Sequence, residues 1–173
     1  MASNMGQIAP DDDWLAGVDE AILEPDLAII DPHHHLWLRN GYTYLMPELS
    51  VDLASGHNVV ATVFAECHSM YRQAGPEAER SMGETEFVRG QAAMSAGGQF
   101  GPTRACDVMF GNVDMTLGQA VEPLLEKHID ASGGRFTGVR YSTGWDANEG
   151  IHNVAPAAGM LIDDRVGEAA AVL

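Results

Sequence analysis

The stretch Asp26–Trp37, DLAIIDPHHHLW, decides how the rest of the chain is read. Its first five residues, Asp26–Ile30, form a short apolar run ending in Asp-Pro, the pattern of a strand buried on both faces. Three consecutive histidines then leave the end of that strand. Side chains of an extended segment alternate, so His33 and His35 point one way and His34 the other. Two imidazoles at i and i+2, at the C-terminal end of a parallel strand, can chelate one divalent metal ion. Imidazole suits zinc, manganese, iron and cobalt alike, so the ligands do not name the metal. Asp31 falls on the same face as His33 and is placed to orient an imidazole.

Working outward, three more apolar runs read as strands: Asn58–Ala65 (NVVATVFA), Cys106–Val113 (CDVMFGNV) and Phe136–Tyr141 (FTGVRY). Helical patterns fall between and after them. Residues 77–96 carry Val88, Ala92 and Ala96 at a spacing of four. Residues 117–130 place Ala120, Val121, Leu124, Leu125, His128 and Ile129 on one face, and Gly133-Gly134 follows as a stop. The last segment aligns Ile162, Val166, Ala169, Ala170 and Leu173, with Asp163 and Asp164 at its start, where the helix dipole favours them. Strands alternating with helices predict right-handed βαβ units, hence an α/β fold with a parallel sheet of about four strands. Residues 36–57, with two tyrosines, a tryptophan, Pro and Gly, read as an ordered active-site loop. A full (β/α)8 barrel needs ~250 residues; with 173 residues, a small open sheet or the N-terminal half of a barrel fits. The expected organisation is an N-terminal extension over 1–25 and one partial barrel domain over 26–173.

Composition narrows the partners. Nine Lys+Arg against 25 Asp+Glu give a net charge of −16, which opposes nucleic acid and anionic membrane surfaces. A hydrophobic share of 46% allows a core, no apolar run reaches the length of a spanning helix, and the N-terminus lacks a signal-peptide pattern. Cys67 and Cys106 make no disulfide framework and read as reduced thiols. A cytoplasmic protein is expected. No GxGxxG, GxxxxGK[ST] or GxSxG motif occurs, so nucleotide binding and serine-hydrolase chemistry have no support.

Several other residues are candidates for the site. Glu66 and His68 follow the second strand on one side of it; Glu66 abuts a buried run, whereas His68 reads as a solvated strand end. Arg140 lies within the fourth strand, and a buried arginine must be paired. Its partner is either a substrate carboxylate, which a guanidinium meets with two parallel hydrogen bonds, or a carboxylate of the fold such as Glu66. Trp37 can wall a pocket, while Tyr42 and Tyr44 read as packing. His128 lies on the apolar face of its helix and reads as core; His57 and His152 belong to no motif. Met82, Met94 and Met160 read as core filler, and Gly138 as a bulge or a close approach.

Asp-x-His-x-His after the first strand resembles the signature of the amidohydrolase superfamily. DPHHHLW is similar to its amidohydrolase-related (amidohydrolase 2) branch, as are FAECHSMYR after the second strand, GETEFVRGQAAMSA on the next helix and GGRFTGVRYSTGWDAN around the fourth strand. The likeness runs from about Leu27 onward. It implies a TIM-barrel, metal-dependent hydrolase acting on a lactone or related carbonyl substrate. It also implies His33 and His35 as metal ligands, with zinc expected first and manganese second. Asp31 would lie behind the ligands, and Trp37, Glu66, Arg140 and Tyr141 would contact a small, carboxylated substrate. A decarboxylase of the same superfamily is a further alternative. The family's later histidine pair and strand-eight aspartate have no counterpart here, so no catalytic residue is assigned. The competing expectation is a catalytically inactive half-barrel that needs a partner, either a second copy or a complementing C-terminal half.

Overall fold

The computed structural model describes residues 11–17, 20–39 and 41–173. Residues 1–10 of the expected N-terminal extension lie outside the described residues. The strands are β1 (Ile29–His34), β2 (Trp37–Arg39), β3 (Tyr42–Tyr44), β4 (Val59–Ala65), β5 (Arg104–Gly111) and β6 (Phe136–Val139). The helices are α1 (Asp12–Leu15), α2 (Met46–Leu53), α3 (Met82–Ala96), α4 (Glu122–Ser132) and α5 (Asp164–Ala170), with 3-10 turns at Glu77–Glu79, Met115–Val121 and Met160–Ile162.

Four strands pair in the order β1-β4-β5-β6, all parallel. The α/β class and the four-stranded parallel sheet expected from the sequence are what the chain forms, and the arrangement is compatible with half of a (β/α)8 barrel. Three of the four strand positions agree with the apolar runs to within a few residues. The first differs in extent: β1 continues past Ile30 through Asp31 and Pro32 into His34, so His33 and His34 belong to the strand's end and His35 follows directly after it. Residues 36–57 are also more ordered than a loop. They hold the antiparallel β2–β3 hairpin and the eight-residue α2, whose start is tied by Glu48 Oε2 accepting from the Leu45 amide at 2.8 Å.

Pleating sorts the sheet into two faces. His34, Phe64, Met109 and Phe136 sit side by side across the four strands and are all buried. Phe64, Met109 and Phe136 share one hydrophobic core with Val88 and Ala92 of α3, Leu124 and Leu125 of α4, and Val166 and Ala169 of α5. The opposite row runs Ile30, Ala61, Val63, Val108, Phe110 and Gly138. Ile30 is 61% exposed and Phe110 37% exposed. Gly138 marks a close approach, because a β-carbon there would meet Phe110 Cδ1 at 2.8 Å. Parallel sheets are ordinarily covered on both faces; here the helices cover one.

The helical stripes are buried at their centres and frayed at their ends. Val121, Leu124, Leu125 and His128 are buried while Ile129 is exposed; Val166 and Ala169 are buried while Ile162 and Leu173 are exposed. Met82 and Met160 fill the core as expected, but Met94 lies at the surface. Gly133 closes α4 in the left-handed region at φ 66°, a conformation glycine adopts without steric cost.

His128 is fully buried between helices. Thr85 Oγ1 lies 2.8 Å from its Nδ1 and Ser81 Oγ 3.2 Å from its Nε2, so both ring nitrogens of the neutral imidazole are satisfied. Burial lowers its pKa to about 4, and does the same to His34. A histidine held neutral in the fold contributes stability that is complete above its unfolded pKa of 6.5 and is lost as the pH falls toward 4. The loss is about 3 kcal/mol per residue over that window. Urea midpoints measured from pH 7 to pH 4 are therefore expected to fall, and H128Q is expected to flatten about half of the decline that the two histidines share. An unaltered pH dependence in H128Q would contradict this assignment.

Candidate metal and substrate site

The C-terminal ends of β1, β4 and β6 bring His33, His35, Glu66 and Arg140 together. Pro32 and His33 fall in a register irregularity of β1, between the pairs Asp31–Thr62 and His34–Phe64. Proline has no N–H for the ladder, which is why a strand breaks register there. Asp31 Oδ1 accepts from the His33 backbone N–H at 3.0 Å. Its part is therefore to brace the turn of the backbone, a different contact from the imidazole contact expected.

The imidazoles of His33 and His35 meet edge to face, with centroids 4.8 Å apart and an interplanar angle of 88°. Their Nε2 atoms are 3.1 Å apart. The partners on either side fix where the protons are. His35 Nδ1 lies 2.8 Å from the Ala65 carbonyl oxygen, which only accepts, so Nδ1 carries the hydrogen and Nε2 of the neutral ring carries a lone pair. Arg140 Nη1 lies 3.2 Å from His33 Nε2, and a guanidinium only donates, so this nitrogen is an acceptor too. Burial first, and the Arg140 cation among the lesser causes, hold the His35 pKa below the usual imidazole range. The two Nε2 atoms are thus both acceptors 3.1 Å apart, with the His33 lone pair taken by Arg140 in this arrangement.

The spacing of the two nitrogens suits a divalent ion once Arg140 gives up His33. Two nitrogens each 2.0–2.1 Å from zinc stand about 2.9 Å apart at a right angle and about 3.4 Å apart at the tetrahedral angle; the observed 3.1 Å lies between. His35 also has the outer hydrogen bond that fixes a ligating imidazole's tautomer. Among the described residues, no group of three or more His, Cys, Asp or Glu side chains is placed to hold a metal. The pair accordingly offers two donors to an ion whose remaining positions must come from elsewhere.

Glu66 is 2% exposed and ionically paired. Its Oε1 accepts from Arg140 Nε at 2.8 Å, its backbone carbonyl accepts from Arg140 Nη2, and its Oε2 lies 3.3 Å from His68 Nε2. Of the two partners open to Arg140 from the sequence, the carboxylate of the fold is thus in place. Trp37 stacks on His35 at 5.6 Å, with the Arg39 guanidinium 5.5 Å above its ring. Tyr141 stands apart: it packs against the core, and burial, then Asp114 and Asp163, raise its pKa. Tyr42 and Tyr44 stack on each other, and Tyr44 donates to Asp52. Cys67 and Cys106 are free thiols, both pushed up to about 12 chiefly by burial. His68, read from the sequence as a solvated strand end, is exposed, and it lies beside Glu66 and stacks on Tyr71 at 5.2 Å.

Sequence reasoning missed Glu84. It lies in the first turn of α3, is 2% exposed, and its Oε1 accepts from the backbone amides of Cys67 at 3.0 Å and Ser69 at 2.8 Å. An acidic residue at a helix start is usually a dipole partner in solvent, and nothing local in GETEF marks this one as buried. Compared with known protein families, curated proteins and solved structures, the chain matches none.

Burial raises the Glu84 pKa to about 7, against the opposing pull of the two amides. A carboxyl group whose pKa is raised on folding contributes stability that is complete below the unfolded value of about 4.5 and is lost as the pH rises through about 7. Replacing it with the uncharged isostere removes that dependence. E84Q is expected to exceed the parent chain in stability at pH 8 by up to about 3 kcal/mol and to match it near pH 4.5. Denaturant titrations at the two pH values check this, and an equal difference at both would refute it.

Proposed function

We propose that this chain is a metal-dependent hydrolase of the amidohydrolase type, acting on a small lactone or related carbonyl substrate that carries a carboxylate. The observation that carries the reading is the 3.1 Å separation of two imidazole nitrogens that both carry a lone pair. His33 and His35 would hold the ion, zinc or manganese. When bound, such an ion supplies a Lewis acid for the carbonyl and lowers the pKa of a water to ~7.

The chain's own residues set the surroundings. Arg140 keeps Nε and Nη2 on Glu66, so Nη1, now on His33, is the donor free to turn to a substrate carboxylate. Glu66 holds the guanidinium at the strand ends and keeps the buried charge balanced. Trp37 walls the His35 side and keeps that imidazole from rotating. His68, exposed on its outer side, links the Glu66 carboxylate to solvent. The Arg140 cation beside His33 opposes metal uptake by Coulomb repulsion, which a bound carboxylate would relieve. In a Co2+ titration followed by absorbance, the purified chain is expected to bind one ion. H33A and H35A should each weaken binding by at least about tenfold, and R140M should strengthen it. Equal uptake by H33A, H35A and the parent chain would sink the proposal.

A second reading, a half-barrel that works only with a partner, is favoured by one feature of the fold. The outer edges of β1 and β6 lack strand neighbours among the described residues, and the sheet face bearing Ile30 and Phe110 is open. Unpaired parallel edges invite pairing with another chain. On this reading light scattering detects association of the parent chain, and I30K, altering a residue that is 61% exposed, restores a folded monomer. A parent chain that is monomeric at all concentrations tested would dismiss it.

A further inference from the structure

The loop that leaves β4 has an uncommon backbone. His68 and Met70, neither of them glycine, have φ of 59° and 55°, a left-handed conformation that persists in such residues only where surrounding contacts impose it. The contacts come from the start of α3. Glu84 Oε1 takes the amide hydrogens of Cys67 and Ser69, one on each side of His68. Arg72 N–H donates to the Arg80 carbonyl at 2.9 Å. Gly83 lets the loop lie against the helix, since a β-carbon there would strike the Met70 carbonyl oxygen and the Arg72 nitrogen. From the other side, Glu66 N–H is fixed to the Phe110 carbonyl at 2.8 Å. The loop is therefore held between strand β5 and the first turn of α3, and Glu66 is its first residue.

We infer that Glu84 is a positioning residue for the site: by clamping the Cys67 and Ser69 amides it aims Glu66, and through Glu66 it holds Arg140 against His33. The inference rests on the proposed metal site for its functional meaning, but its geometry stands independently. Each link is a contact already described: Glu84 to the two amides, Glu66 to Arg140 Nε and Nη2, and Arg140 Nη1 to His33 Nε2. The interaction is polar and directional. A leucine of similar bulk would fill the space and leave two buried amide hydrogens without an acceptor. A glutamine would return an oxygen acceptor at the same place. Glu84 Oε2, the position a glutamine's amide nitrogen would take, is buried without a hydrogen-bond partner among the described residues, so the substitution breaks no existing bond there.

The test compares the parent chain, E84L and E84Q by three readouts: backbone amide exchange, the Arg140 Nε–H resonance in a nitrogen–proton spectrum, and the Co2+ dissociation constant. E84L is expected to speed exchange across residues 66–72 by at least about tenfold while α3 and β4 stay protected. It should also move the Arg140 Nε–H signal to the position of a free guanidinium and, because the cation is no longer held against His33, tighten Co2+ binding as R140M does. E84Q should restore all three. Unchanged exchange at 66–72 in E84L would overturn the inference. So would uniform loosening of α3 and β4, which marks a purely structural role, or an E84Q variant as impaired as E84L. If the parent chain takes up no Co2+, the metal reading fails on its own, and the exchange and Arg140 signals still decide the role of Glu84.

Discussion

A carboxylate sealed at the end of a strand must find a cation, and much of this structure follows from where Glu66 finds one. Burying an ionised carboxyl group without a partner is prohibitive. Arg140, 74 positions along the chain, answers with Nε on the side chain and Nη2 on the main-chain carbonyl. That pairing ties β4 to the end of β6 across the intervening β5 and fixes which way the guanidinium faces. Its remaining nitrogen then reaches His33 on β1. One ion pair thus connects the first, second and fourth strands of the sheet at the end where the imidazoles emerge. Because Arg140 is itself partly exposed, the pair is less a source of stability than a device that holds a charge in one place.

The sheet is one-sided in its packing. The row from His34 to Phe136 is driven into the helices, and the dispersion and hydrophobic gain of that core holds the strands in register. The opposite row combines half-buried valines and an exposed Ile30 and Phe110 with the polar groups of the site. A face that must present two imidazoles and a guanidinium at its upper end cannot also be covered by helices along that end. The open face and the site therefore share one cause, the placement of every described long helix on the other side.

Much of the fold was legible because its signals are local. Runs such as NVVATVFA announce strands through β-branched residues, and Gly133 announces a helix end through the one backbone conformation it alone adopts freely. The histidine pair was legible for the same reason, since strand alternation needs only two neighbours. The rest depends on how the backbone turns locally and on which elements cross. Asp31 turned to the His33 backbone instead of a ring, because the irregularity at Pro32 brings that amide within reach. His68 is solvated as read, but its contacts with Glu66 and Tyr71 come from the left-handed backbone of its loop. Glu84 is an ordinary helix-start acid until the loop from β4 is laid over it. Burial of a charged residue depends on which element crosses it, and a single sequence does not state crossings.

The convergence of His33 and His35 shows how far simple alternation goes and where it stops. Alternation puts two side chains on one face with their α-carbons about 6.6 Å apart along the strand, and parallel rings at that distance would not share a ligand. The rings here are nearly perpendicular, with Nε2 atoms 3.1 Å apart. Three constraints turn them. Pro32 breaks the ladder beneath His33, Asp31 braces the amide that the break exposes, and the Ala65 carbonyl together with the Trp37 face pins the His35 ring. Removing the carbonyl contact would free the tautomer, and removing the break would return the rings to parallel. The geometry of the imidazole pair is therefore a property of the strand's irregularity as much as of its histidines, which is why DPHHH is more informative as a pentapeptide than HxH is as a spacing.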